Sequence, residues 1–278
     1  MSEYAGTRGP VWFRALTGHA APLRGDPASV LTADAPLGGE KARFLCVVRD
    51  PQGRYPCARD GQVGLEEAYA LAARVREAVA EDRDGIKRPI VAIVDVKSQA
   101  YGRREEMAAI HLAAACAVDA YDEARVSAHP VIALVVGHAL SGGFVSHGLL
   151  ANRVLALDDA GVMIHAMHPQ AAARIMHTSV ESLERASRSI APLSYDIGEY
   201  AKLGLLHRLL QVEEPENPSA AAVQGVKEEL AAAVREARQG PLDLSDRWLS
   251  PQARQSRSAA LMVRAALAAQ WAEPESGR

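Results

Sequence analysis

The sequence has 278 residues, of which 49% are hydrophobic and 23% are charged, and its formal net charge at pH 7 is −3. This length suits one large α/β domain or two small ones, and the slight negative charge argues against nucleic acid as a main partner. No secretory signal pattern opens the chain, and no apolar run approaches the roughly 20 residues that cross a bilayer. We therefore expect a cytoplasmic protein without a membrane partner.

The three cysteines, Cys46, Cys57 and Cys116, are odd in number and far apart in the sequence. This spacing predicts neither a disulfide framework nor a cysteine zinc site. We expect small buried or half-buried thiols instead.

The first forty residues are rich in Gly, Pro and Ala, and we interpret residues 1–40 as an N-terminal extension. Within them, residues 11–18 (VWFRALTG) and 29–33 (SVLTA) are candidate short strands. A clearer strand follows at residues 44–50 (FLCVVRD). Helical spacing of apolar residues then predicts a helix over residues 65–82.

Two continuous apolar runs rich in β-branched residues predict strands that are covered on both faces, as in a parallel sheet. They are residues 89–96 (PIVAIVDV) and 131–136 (VIALVV). Between them lie the loop KSQAYGR and a long predicted helix at residues 104–127. The second run leads into the glycine-rich turn GHALSGG, residues 137–143, and a helix from about residue 142.

The remaining chain alternates short strands with helices. Predicted strands cover 153–157, 162–167 and 205–212, and predicted helices cover 170–190, 196–204, 221–240 and 251–274. Such alternation implies right-handed βαβ units with helices outside a parallel sheet. We expect one domain over residues 1–278 that ends in a helical tail, residues 241–278.

The turn at residues 137–143 is the main candidate for chemistry, because ligands gather at the carboxyl ends of parallel strands. Free N–H groups and a positive dipole end would make Gly142 and Gly143 an oxyanion site. Close packing of strand and helix is the alternative explanation of the glycines. The loop after the preceding strand should open on the same crevice and line it with Gln99, Ala100, Tyr101 and Gly102.

Three polar side chains near the turn are further candidates for lining the site. Ser141 is interpreted as a helix N-cap, although a nucleophile of the serine-hydrolase type is an alternative. His138 is a candidate because it lies within the turn. His165 and His168 should point to opposite faces of a strand, so His165 could line the site and no metal site is predicted.

Residues 40–240 resemble a known family. The segments HPVIALVVGHALSGG, RVLALDDAGVMIHAMHPQAAARIM and SIAPLSYDIGEYAKLGLLHRLL are similar to the alpha-type carboxyltransferase subunit of acetyl-CoA carboxylase, a member of the crotonase superfamily. The Ser-Pro-Glu-Gly stretch of that family is altered here to His168-Pro169-Gln170-Ala171, and the Pro-Gly after residues 89–95 is missing. GHALSGGF and VMIHAMH bring the resemblance closest to the gamma subunit of biotin-independent malonate decarboxylase.

The resemblance implies a crotonase-like α/β fold of repeated ββα and βα units with a parallel sheet, flanking helices and a helical C-terminal extension. It also implies a malonyl thioester on the prosthetic group of an acyl carrier protein as substrate, with no cofactor in this chain. The implied partners are a beta-type decarboxylase subunit, the acyl carrier protein subunit and an acyl transferase subunit. Gly142 and Gly143 would stabilise the enolate that carbon dioxide leaves behind.

Three other functions remain open from the sequence. The chain could be the alpha-type half of a biotin-dependent acyl-CoA carboxyltransferase. It could be a non-catalytic subunit whose partner performs all the chemistry. A serine hydrolase that uses Ser141 is the most distant alternative, because no His-Gly-Gly oxyanion segment precedes the turn.

Overall fold

A computed structural model describes residues 6–19 and 21–272 of the chain. Its centre is a seven-stranded sheet in the order β1-β2-β3-β4-β5-β7, and β6 pairs with the far end of β4. β1 is antiparallel to β2, and the other pairs are parallel. The predicted parallel sheet is therefore confirmed, with one antiparallel strand at its edge.

The strands and helices have the following bounds. The strands are β1 Val30–Leu37, β2 Glu40–Val47, β3 Ile90–Val96, β4 Val131–Leu140, β5 Arg153–Leu157, β6 Met163–His165 and β7 Arg208–Leu210. The helices are α1 Arg8–Thr17, α2 Leu65–Glu81, α3 Arg103–Met107, α4 Ile110–Val126, α5 Ser141–Ser146, α6 Pro169–Ile175, α7 Val180–Ser187, α8 Ile197–Ala201, α9 Ala220–Gln239, α10 Ser245–Leu249, α11 Pro251–Ser256 and α12 Ser258–Ala272.

The two central strands are buried along their whole length. Every residue of β3 and β4 is buried, as their uninterrupted apolar runs predict. Helix α2 packs beside α4, and α1 packs beside α9. Because both faces of the central strands are covered, the polar ends of these strands are the places where the sheet can meet a ligand.

The N-terminal segment contributes to this core. The strand predicted at residues 11–18 is wrong, because residues 11–17 lie in α1 and Gly18 is its C-cap. Gly9, Trp12, Phe13 and Leu16 are its buried residues, spaced as one face of a helix. The strand predicted at residues 29–33 is confirmed as part of β1, so both elements of the expected extension join the sheet and its core.

The helix predicted at residues 104–127 is two helices. α3 ends at Met107, and α4 begins after Ala109, which has a φ of 60°. A left-handed φ on a residue with a Cβ interrupts a helix. Neither glycine nor proline stands at the break, so the sequence does not mark it.

The tail, expected as one helix at residues 251–274, divides at Arg257 into α11 and α12 and is preceded by α10. Residues 273 and 274 of the expected helix lie outside the described residues. Among the described residues, the structure contains no helix that is long and apolar enough to cross a membrane.

Candidate active site at the ends of β3 and β4

The loop after β3 and the turn after β4 touch each other, as the adjacency of these strands requires. The Gly142 N–H donates to the Gln99 side-chain oxygen Oε1 at 2.6 Å. The hydroxyl groups of Tyr101 and Ser141 are 3.3 Å apart. The expected meeting of the two segments is thus confirmed, and it places Gln99, Tyr101, Ser141 and Gly142 together.

The turn is shorter than the sequence suggests, because β4 continues through Leu140. Gly137 is therefore a strand residue and not part of the turn. A Cβ on Gly137 would lie 2.6 Å from the carboxyl carbon of Asp95 on β3. The strands change register between Val94 and Val96 at this point, so Gly137 makes room for the Asp95 carboxyl.

Gly142 and Gly143 both allow a close approach of the two loops. A Cβ on Gly143 would lie 2.5 Å from the carbonyl carbon of Ser98, which is backbone. A Cβ on Gly142 would lie 2.7 Å from Gln99 Oε1, the end of a flexible side chain. The packing explanation thus has direct geometric support at Gly143, whereas at Gly142 an oxygen atom already accepts the N–H.

Ser141 does not cap α5. Helix α5 begins at Ser141 itself, its N-cap is Leu140, and no side chain accepts a capping hydrogen bond. The N-cap interpretation is therefore wrong, because the longer strand leaves no residue between strand and helix. Ser141 instead takes a φ of 59°, a conformation that glycine adopts far more readily. α5 has six residues, too few for a large dipole contribution.

Among the residues that the structure describes, the Ser141 hydroxyl pairs with the Tyr101 hydroxyl and not with a histidine or a carboxylate. His147 is near in sequence, but its Nδ1 pairs with the Tyr121 hydroxyl at 2.9 Å and its Nε2 with the Ile93 carbonyl at 2.9 Å. Burial lowers the pKa of His147 to about 4. Both ring nitrogens are thus committed to the core, and a serine-hydrolase base is not assembled among these residues.

The loop after β3 is held by a short bridge to the segment before α2. The Val63 N–H donates to the Ser98 carbonyl, and the Ala100 N–H donates back to the Val63 carbonyl, both at 2.9 Å. Ala100 is fully buried, so its side chain faces the core rather than a ligand. The bridge fixes the backbone from which Gln99 and Tyr101 project.

Gly102 is the N-cap of α3. A Cβ there would lie 2.8 Å from the Cys57 sulfur. The carboxyl of Glu105 is buried beside it, with its Oε1 lacking a hydrogen-bond partner in the structure. Burial and this neighbouring carboxylate raise the pKa of the Cys57 thiol. Gly102 thus has a packing role. Nothing in the sequence around Glu105 indicates that its carboxyl is buried at this loop.

His138 lies in β4, three residues before Ser141, and its backbone contacts the buried carboxyl of Asp95. Its backbone N–H donates to Asp95 Oδ1 at 3.1 Å, and the Gly9 N–H of α1 donates to Asp95 Oδ2 at 3.1 Å. Burial raises the pKa of Asp95. Burial, with the neighbouring charge of His168, lowers the pKa of His138 to about 4. His138 is thus neutral at pH 7.

His165 belongs to a separate cluster. Its ring stacks on Tyr195 with centroids 4.1 Å apart, and its Nδ1 lies 3.0 Å from the Met167 carbonyl oxygen. Burial lowers its pKa. The contacts of Gln99 with Gly142 and of Tyr101 with Ser141 join the two loops to each other, so these loops form the compact part of the site. Among the described residues, no group of three or more His, Cys, Asp or Glu is arranged to hold a metal ion.

The site is open to solvent on one side. A mainly apolar groove of about 640 Å³ runs between α4 and α5 and is lined by Gly142, Val145, Ser146 and Leu150 facing Ala114, Ala115, Val118, Asp119 and Asp122. Tyr101, Met107 and Leu112 are more than half exposed nearby. A larger open cavity of about 970 Å³ lies by α2 and contains none of the candidate site residues.

Comparisons with known proteins identify similar sequences and folds. Residues 58–271 match the family model of the malonate decarboxylase gamma subunit. A chain in the crystal structure of a Pseudomonas malonate decarboxylase hetero-tetramer with coenzyme A is 50% identical, with a TM-score of 0.91 over 95% of this chain and 100% of that one. A chain of the Pseudomonas MdcD-MdcE hetero-dimer is also 50% identical, with a TM-score of 0.88 over the same shares.

A curated relative from Malonomonas rubra, malonyl-S-ACP:biotin-protein carboxyltransferase MADD, is 34% identical over 194 residues. The match covers 68% of this chain and 66% of that protein, so the chain spans just under two thirds of this relative's length. The structural matches confirm the expected crotonase-like fold of the carboxyltransferase type.

Proposed function

The chain belongs to the malonate decarboxylase gamma-subunit family, and from that premise we propose that it acts with a beta-type subunit to decarboxylate a malonyl thioester. The thioester is carried on the prosthetic group of an acyl carrier protein, and an acyl transferase subunit supplies it. The products are the acetyl thioester and carbon dioxide, formed in the cytoplasm without a cofactor bound to this chain.

The reaction breaks the bond between the carboxylate carbon and the α-carbon of the malonyl group. The electron pair of that bond passes to the α-carbon and, by conjugation, to the thioester oxygen, so an enolate forms as carbon dioxide leaves. A proton added to the α-carbon then completes the acetyl group. N–H groups placed at the thioester oxygen stabilise the developing charge.

The observation that carries the proposal is the hydrogen bond from Gly142 to Gln99. A neutral carbonyl-type oxygen accepts the Gly142 N–H at 2.6 Å, slightly closer than the usual range of about 2.7–3.2 Å for such a hydrogen bond. In the proposed complex the thioester oxygen replaces Gln99 Oε1 at this donor. The Gly143 N–H, one residue further along α5, is the proposed second donor.

The open groove beside the turn supports the need for a partner. Tyr101, Met107 and Leu112 expose 59%, 79% and 58% of their surface, and Val145 of the groove exposes 40%. Exposed apolar side chains that cluster around a polar site mark a protein interaction surface. The beta-type subunit would cover these side chains and close the site against water.

The experiment compares Gln99→Glu with Gln99→Ala in the complex of this chain with its beta-type subunit, using malonyl-acyl carrier protein as substrate. A carboxylate at position 99 should hold the Gly142 N–H and repel the enolate, since charged acceptors bind N–H groups about twice as strongly as neutral ones. We expect turnover to fall by about 10²-fold, the loss typical of one oxyanion donor.

Gln99→Ala is the matched control, because it removes the competing oxygen without adding a charge. It should retain turnover within a few-fold. Equal and near-normal turnover of both variants, with assembly intact, would contradict the role of Gly142 as an oxyanion donor.

A biotin-dependent carboxyltransferase is the second candidate, favoured by the 34% identity to the Malonomonas rubra protein. It is the weaker candidate, since the decarboxylase chains are 50% identical over 95% of this chain. Transfer of the carboxyl group to an added biotinyl protein, in place of release as carbon dioxide, would identify it.

A further inference from the structure

The proposed reaction needs a proton donor as well as an oxyanion site. Departure of carbon dioxide leaves an enolate, and a proton must reach its α-carbon to complete the acetyl group. In the proposed complex the beta-type subunit closes the site against water, so a side chain beside the α-carbon has to supply this proton. A side chain that is positioned to do so is a general acid.

The buried titratable groups near the two loops are not placed for this task. Asp95 is 4% exposed, and its two oxygens accept the N–H groups of His138 and Gly9. Glu105 is 1% exposed, and its carboxyl lies beside Cys57. His138 is 4% exposed, and its ring is neutral at pH 7 because burial lowers its pKa to about 4. Each of these groups is enclosed by the chain's own atoms.

The contacts that join the two loops bring two hydroxyl groups into the site. Of the four residues that meet there, Gln99 and Gly142 contribute an amide oxygen and an amide N–H, while Tyr101 and Ser141 contribute their hydroxyls, which are 3.3 Å apart. Tyrosine, unlike serine, is among the side chains that serve as general acids. Tyr101 is therefore the acid that the meeting of the loops provides.

The Tyr101 hydroxyl lies close to the proposed oxyanion donor. Its neighbour Ser141 directly precedes Gly142, and in the proposed complex the thioester oxygen accepts the Gly142 N–H. Only the carbonyl carbon separates that oxygen from the α-carbon. A thioester held at Gly142 thus presents its α-carbon in the same small region as the Tyr101 hydroxyl.

The backbone around Tyr101 is fixed on both sides. Ala100, which precedes it, is hydrogen-bonded to Val63, and Gly102, which follows it, is the N-cap of α3. Such support holds a reacting group in one geometry. The side chain of Tyr101 itself is 59% exposed, so water can return a proton to it when the complex opens.

We propose that the Tyr101 hydroxyl delivers the proton that converts the enolate to the acetyl thioester. The electron pair of the enolate double bond forms the new C–H bond at the α-carbon, and the carbonyl group of the thioester is restored. The O–H bond of Tyr101 breaks, its electron pair stays on the phenolate oxygen, and water reprotonates that oxygen after product release. The inference rests on the proposed function for the identity of the substrate.

The first measurement is the turnover of Tyr101→Phe in the complex with the beta-type subunit, using malonyl-acyl carrier protein. This variant keeps the ring and removes only the hydroxyl. We expect kcat to fall by about 10²-fold, the lower end of what a general acid contributes, with KM within a few-fold of the wild type. Tyr69→Phe is the matched control, because Tyr69 is 49% exposed and lines the cavity by α2 that contains none of the candidate site residues.

The second measurement distinguishes proton delivery from a merely structural role. The substrate carries hydrogen and tritium stereospecifically at the α-carbon, and the reaction runs in deuterium oxide, so the acetyl product has a chiral methyl group. A fixed donor adds deuterium to one face, and the wild type and Tyr69→Phe should give a single configuration. Tyr101→Phe should give both configurations, because water then protonates the enolate from either face.

The configuration of the product decides the outcome. A single configuration from Tyr101→Phe would overturn the inference at any turnover, since the donor would then be another residue, such as His168 or one on the beta-type subunit. A mixed configuration from the wild type would also overturn it, since water would be the donor. The proposed function fails separately, if the assembled wild-type complex does not decarboxylate malonyl-acyl carrier protein.

Discussion

Replacing Gly143 with Ala tests what the glycines of the turn do. The added Cβ would lie 2.5 Å from the Ser98 carbonyl carbon and 3.1 Å from the Gln99 nitrogen. Both atoms are backbone, so the loop after β3 must move away. Overpacking of this kind costs about 1–3 kcal/mol, and Ala recovers up to about 1 kcal/mol relative to Gly in a helix. Because the atoms met are backbone, the cost should lie near the upper end of this range, about 3 kcal/mol, and after the gain of about 1 kcal/mol we expect the free energy of unfolding to fall by about 2 kcal/mol.

Gly142→Ala is the matched comparison, because its Cβ meets only the end of the Gln99 side chain. Rotation of that side chain loses one hydrogen bond, worth about 1 kcal/mol, and the gain in helix propensity offsets about the same amount. The free energy of unfolding should therefore change by less than about 0.5 kcal/mol, and the two glycines should differ clearly.

The assay is urea unfolding of the isolated chain, followed by turnover of the complex with the beta-type subunit. A displacement of the Ser98–Gln99 backbone toward 1 Å should lower the turnover of Gly143→Ala by about 10²-fold, as misplaced catalytic groups do. If Gly143→Ala unfolds at the same urea concentration as Gly142→Ala and both complexes turn over normally, the close approach of the two loops is not what requires Gly143.

Two other predictions concern individual side chains. Burial lowers the pKa of His147 from 6.5 to about 4, so between these pH values the unfolded chain binds a proton at His147 that the folded chain does not, and the stability present above pH 6.5 is lost as the pH falls toward 4. His147→Gln should therefore reduce the fall in the free energy of unfolding over this pH range by about 3 kcal/mol, measured by urea unfolding. An unchanged pH profile in the variant would contradict the lowered pKa of His147. Ser141→Ala should change the free energy of unfolding by less than about 0.5 kcal/mol and keep turnover within a few-fold; a loss of several orders of magnitude, or labelling of Ser141 by a fluorophosphonate, would instead indicate a nucleophile.

The central strands could be predicted from the sequence because their patterns are local. The runs at residues 89–96 and 131–136 are apolar at every position, and β3 and β4 occupy them. The strand at residues 153–157 is β5. α1 was missed, although Trp12, Phe13 and Leu16 have helical spacing, because aromatic residues also favour strands.

The details of the candidate site depend on contacts between distant residues and could not be predicted. Sequence order and strand adjacency predict that Gln99 lies near Gly142. They do not predict the hydrogen bond between the two residues. From the sequence alone, Gly137 is interpreted as a turn residue. Its actual role is to make room for the Asp95 carboxyl, which lies on another strand and is distant in the sequence. Ser141 has a φ of 59° directly after β4, and the glycine-rich sequence GHALSGG conceals that the strand continues through Leu140.

The most direct test of the account is a reconstituted decarboxylation assay. Release of carbon dioxide from malonyl-acyl carrier protein is measured with this chain alone, with the beta-type subunit alone, and with both at equal concentration, each checked for its oligomeric state. The account predicts release only when both subunits are present. Full activity of the monomeric chain by itself, or an assembled pair that releases no carbon dioxide, would contradict it.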